Sequence, residues 1–141
     1  MIRNLSKLQA KLKAMPAAAT RAVTDELAAG ASSMHSLAVR MIQRNDGGGR
    51  TYKRGGRTHV ASAPFAYPNA DRGELVRGMG WYSSALSSYW YSSAKHARPL
   101  EHGTDRMLPR PIMRPTYRAL LPDIRRNVNQ AIRAALRQFY A

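Results

Sequence analysis

The chain has 141 residues and carries 23 Lys and Arg against 8 Asp and Glu, a net charge of +15 with a pI near 11.2. At 44% hydrophobic it is too apolar for a disordered basic tail, and its length suits one domain with a single core. The absence of cysteine excludes disulfide frameworks, thiolate metal sites and cysteine nucleophiles, and leaves an intracellular or virion protein as the natural expectation.

No window approaches the roughly 18 uncharged apolar residues of a membrane span. Met1 to Lys13 mixes Lys and Arg with single Leu residues and does not read as a secretory signal. A charge of this size points to a polyanion partner, most often nucleic acid, or to an oligomer surface that tolerates one sign.

Residues 1–45 read as helix. Ile2, Leu5, Leu8 and Leu12 share one face, with Arg3, Lys7 and Lys11 on another. Pro16 is expected to break this helix and open a second one, with Val23, Leu27, Met34, Ala38 and Met41 as its apolar stripe. Asn45-Asp46 and three glycines stop it, and residues 46–73 read as a long basic loop, ordered poorly or only by a neighbour. Two aromatic antiparallel strands are expected at 75–83 and 86–93, with a turn near Ser84-Ala85. Residues 94–104 suit a short helical turn ending at Gly103, and the prolines of 105–115 an extended path. The segment 116–141 is helical, with Tyr117, Leu120, Leu121, Ile124, Val128, Ile132, Ala135 and Phe139 as its stripe and a kink or break at Pro122. The expected class is α+β: a small antiparallel sheet packed against long N- and C-terminal helices in one domain, 1–141.

Catalytic chemistry finds little support. Neither a G-x-S-x-G elbow nor a phosphate loop is present, and the eight acids are scattered. The cluster of Glu101, His102 and Asp105, with His96 upstream, lacks metal-ligand spacing and reads as a turn. No enzyme activity, metal, cofactor or small-molecule substrate is expected. The basic residues Arg50, Lys53, Arg54 and Arg57, with Tyr52 among them, suit either phosphate contacts or an acidic neighbouring subunit. Trp81, Tyr82, Tyr89, Trp90 and Tyr91 suit core packing plus a subunit interface better than a stacking platform for bases.

Three stretches, in order and at matching spacing, resemble a tail-component family of tailed phages, the tail-completion or head–tail joining proteins. Pro64 and Pro68 followed by Asp71, Gly73 and Leu75 are similar to the family's P…P…D-T-G-x-L lead-in to its first strand. Glu101, Gly103 and Thr104 match its E-x-G-T. Pro109, Pro111 and Pro115 are similar to its proline-rich approach to a C-terminal helix. The resemblance covers about residues 45–120; Phe65, Arg72 and Met79 depart from the usual Gly, Thr and β-branched residue.

The resemblance implies a structural virion protein, a ring of about six copies at the head-proximal end of a long tail. Its implied partners are other copies of itself, the tail-tube protein, the neck or head-completion proteins, and genome DNA passing through the lumen without sequence preference. Glu101 and Thr104 would then hold backbone donors or a neighbouring subunit. A head-side neck connector is the alternative in the same class, and a freestanding basic nucleic-acid-binding protein the alternative in another.

Overall fold

The computed structural model describes residues 5–13 and 17–140; the expectations at Ile2, Arg3 and Pro16, and for the side chains of Leu8, Lys11, Leu12 and Phe139, lie outside the described residues. The elements in chain order are α1 (Leu5–Lys13), α2 (Ala17–Gln43), β1 (Gly48–Arg54), β2 (Arg57–Ser62), α3 (Glu74–Arg77), β3 (Met79–Ser84), β4 (Ser87–Ser92), α4 (Ala97–His102) and α5 (Met113–Tyr140). The α+β class holds, but the strands form two separate antiparallel hairpins, β1–β2 and β3–β4.

The apolar stripe of α2 organises the interior. Val23, Met34 and Ala38 are buried as the spacing predicts, and Ile42, one step beyond the predicted Met41, is fully buried. α2 packs against α5 along one side and against both strands of β3–β4 along another. Gly30 sits at the helix crossing, where a Cβ would stand 3.0 Å from the side chain of Ile124. The main apolar cluster joins Ala38 and Ile42 to Leu75, Met79 and Ile112, with Tyr67, Trp90 and Leu100 around it. Within it the Thr116 hydroxyl donates to the Ile112 carbonyl at 2.7 Å, which leaves the Tyr67 hydroxyl, 2.9 Å away, to donate to Thr116. Burial, followed by the nearby Glu101 charge, raises the pKa of the Tyr67 phenol.

Three expectations need correction. The segment 46–73 is not mainly loop, because Gly55 and Gly56, at φ 55° and 75°, close a two-residue turn and bring Arg54 opposite Arg57. Leu75 begins no strand. Gly73 is left-handed at φ 74°, and the amides of Arg77 and Gly78 close onto the carbonyls of Gly73 and Glu74 as one helical turn. Of the kink or break expected at Pro122, the break is absent: α5 runs from Met113 to Tyr140 with the proline inside, and it starts three residues earlier than expected.

Gly30→Leu is expected to lower stability by about 1–3 kcal/mol through overpacking, with Ile124→Ala in the same chain recovering part of the loss; urea midpoints measure both. The raised Tyr67 pKa has a sign. The unfolded phenol, near the ordinary value of about 10, ionises before the folded one. Its contribution is therefore complete below that pH and is lost as pH rises through the folded value. Stability measured from pH 9 to 12 is expected to fall, less steeply in Tyr67→Phe.

Candidate functional site

Two of the resembling stretches, Glu101 and the proline-rich 109–115, meet at the start of α5. A helix leaves its first amides without intrahelical partners. Here the Glu101 carboxylate, 8% exposed on α4, takes three of them: Oε2 accepts from Ile112 at 2.7 Å and Met113 at 2.8 Å, and Oε1 accepts from Arg114 at 3.1 Å. Negative charge there also opposes the positive end of the helix dipole. Pro115 occupies the first turn of α5, where its missing N–H costs nothing.

Gly103 follows at φ 77°, and a Cβ there would lie 2.8 Å from the Met107 carbonyl and 3.0 Å from the Pro109 ring. Thr104 and Met107 exchange backbone hydrogen bonds, and the Thr104 hydroxyl accepts from the Arg106 amide at 3.3 Å. The Arg110 amide donates to Leu100, its Nε donates to the Ser62 carbonyl at 3.0 Å, and the Phe65 amide donates to Pro109. Segments 62–66, 100–104 and 107–116 are thereby tied together. Pro68 and Leu75 are buried beside them, whereas Pro64 is exposed. Pro111 is half-buried just before α5. Asp71 stands 4.0 Å from His59 across a cleft of about 520 Å³, lined also by Tyr52, Arg72, His96 and Arg110.

The polar cluster that invited a metal reading is dispersed. Glu101 faces the amides of α5, His102 Nδ1 lies 3.3 Å from an Arg114 guanidinium nitrogen, and His96 turns to the cleft. Among the described residues no group of three or more metal-ligating side chains comes together. No helix among them is long and apolar enough to cross a membrane.

The basic residues are strand residues of a projecting arm. Tyr52 and Arg54 share a face with His59 and Arg57, and Lys53 lies on the opposite face; Arg50 lies beside a bulge. All four predicted cations are exposed and lack an ion pair among the described residues. The arm joins the body at its base, where Asn69 donates to Val60 at 2.8 Å and Ala63 to Gly47 at 3.2 Å.

The aromatic hairpin sorts its residues by register. Trp81 opposite Trp90 shares the face of buried Met79, which turns to α2. Trp90 is half-buried against the core cluster, and Trp81 on the same face is exposed. The outer face holds Tyr82 opposite Tyr89, stacked at 6.1 Å, and Tyr91 lying across Gly80. These three tyrosines are 55%, 58% and 49% exposed, and nothing in the described chain covers them.

Comparison with protein-family models, with curated proteins and with solved structures finds no match to this chain.

Glu101→Ala leaves three amides without acceptors and is expected to cost about 2–4 kcal/mol. Glu101→Gln, which keeps one acceptor oxygen, is expected to fall between it and the parent in urea midpoint.

Proposed function

We propose that the chain is a structural assembly protein of a long-tailed phage or prophage. Its copies, about six, close a ring at the head-proximal end of the tail as a tail-completion or tail-terminator protein. It would act in the virion after assembly in the host cytoplasm. The head-side neck connector is the alternative position for the same ring.

The observation that carries this reading is the union of the three resembling stretches. Pro68 and Leu75, Glu101 with Gly103, and the proline-rich 109–115 converge on one buried arrangement around the start of α5. The reading also accounts for two hairpins with unpartnered faces. A ring needs a heterologous interface that closes on itself, hence two different patches per copy. The tyrosine face of β3–β4 and the basic arm β1–β2 supply such a pair.

At +15 per copy, six copies carry about +90. Acidic neighbours in the tail tube and neck, or DNA in the lumen, would compensate that charge. The exposed Arg50, Lys53, Arg54 and Arg57, without an ion pair among the described residues, favour a second reading, a freestanding nucleic-acid-binding protein.

Native mass spectrometry of the purified chain with tail-tube and neck proteins is expected to register a closed ring. Tyr82→Ser/Tyr89→Ser/Tyr91→Ser is expected to lose the ring and keep the monomer's circular dichroism. A monomer that never assembles with those proteins present sinks the reading. If that monomer also binds duplex DNA more tightly than about 10⁻⁶ M at physiological salt, the second reading replaces it.

A further inference from the structure

α5 carries its exposed charge with almost one sign. Arg114, Arg118, Arg125, Arg126, Arg133 and Arg137 are all exposed, and Asp123 is the sole acid on the helix. At 3.6 residues per turn these arginines fall within an arc of about 140°, and Arg118 to Arg137 span about 28 Å along the axis. The other side, with Ile124 against Gly30 and Ala135 buried, packs on α2.

Local partners account for only part of this charge. Asp123 holds Arg126 at 2.9 Å, and Glu101 lies 3.8 Å from Arg114. Arg118, Arg125, Arg133 and Arg137 have no carboxylate within 4.0 Å among the described residues. A solvated helix face gains stability from opposite charges four residues apart. Here Arg114 with Arg118, and Arg133 with Arg137, place like charges at that spacing, which destabilises a helix. The negative end of the helix dipole offsets this at Arg137, in the last turn, but not at Arg114, Arg118 or Arg133.

The chemistry of the face narrows its occupant. After Lys95 every cationic side chain is arginine, whose planar fork pairs bidentately with phosphate oxygens. The other exposed described positions on the arc are Ala119, Pro122 and Asn129. None is the large apolar anchor around which a protein interface forms, and Ile132 and Leu136, which share the arc, are half-buried. No described aromatic side chain lies between the arginines to stack an unpaired base. A membrane surface would need the helix's apolar face, which is already committed to α2.

We infer that the arginine face of α5 is a contact surface for the phosphate backbone of duplex DNA, independent of base sequence. The assignment does not require the ring: oligomer mass reads the ring and salt dependence reads this face.

The test is fluorescence anisotropy with a labelled mixed-sequence duplex of about 24 base pairs, from 50 to 200 mM salt. Four phosphate contacts give a slope of log affinity against log salt near −3.6. Arg118→Gln/Arg125→Gln/Arg133→Gln/Arg137→Gln is expected to make the parent slope shallower by about 3 to 4 units. The four corresponding Arg→Lys changes are expected to keep it. Arg21→Gln/Arg40→Gln/Arg98→Gln/Arg106→Gln removes the same charge elsewhere and is expected to change it by about one unit or less. If the quadruple Gln variant does not fold, the pairs 118/125 and 133/137 are each expected to remove about half the effect. Equal slopes for the α5 and control variants overturn the inference. So does tighter binding of the parent to poly-glutamate, or to anionic vesicles, than to the duplex at the same salt.

Discussion

The structure hangs on one carboxylate meeting the open end of one helix. α5 is 28 residues long, and most of what it contributes depends on where it starts. Glu101 sets that point by accepting from three consecutive amides, Ile112 to Arg114. Ile112 is thereby seated in the core, and Thr116 is brought beneath Tyr67. From there α5 lies along α2, and its close approach is possible because residue 30 has no side chain. The carboxylate's accepted hydrogen bonds position α5 against the rest of the core.

What was legible in the sequence was whatever one face of an element had to bury. The stripe Val23, Met34, Ala38 marks α2, and the aromatic run marks β3–β4, because each lies against other elements. Gly103 was legible as a stop because its left-handed conformation and its crowding by Pro109 both demand glycine. The β1–β2 arm was hidden for the opposite reason. β1 is exposed at six of its seven residues, and the inward positions of β2 are His59, Ala61 and Ser62, so no run of large apolar side chains alternates with polar ones. The arm's one local signal is Gly55-Gly56 between β-capable residues. Leu75 was ambiguous, since a single buried leucine suits a helical turn as well as a strand. The partners of Glu101 lie 11 to 13 residues away, and Arg110 reaches back to Ser62; no periodicity encodes such contacts.

The basic charge is not concentrated in one binding element. Residues 1–60 carry +8 and residues 61–141 carry +7. The structure nevertheless sorts it into two surfaces of different character. The arm presents lysine and arginine on both faces of a two-stranded ribbon that meets the body through Val60, Ala63 and the His59–Asp71 pair. α5 presents arginine alone, on a long element held against the core. The exposed tyrosine face of β3–β4 carries no charge and differs in character from both.

The pairing of α2 with α5 also bears on how the chain reaches this state. The two helices are separated in sequence by both hairpins and everything between them. Each hairpin can close locally within microseconds, but an isolated two-stranded hairpin is only marginally stable in water. The central apolar stripe of α2 must wait for a helix that follows about 70 residues later, and the entropy of closing that span is met before any contact rewards it. Folding is then governed by the arrival of α5. Until it docks, α2 holds β3–β4 on one side and leaves its own α5-facing side uncovered. A net charge of +15 makes copies of the chain repel one another whenever that side is uncovered.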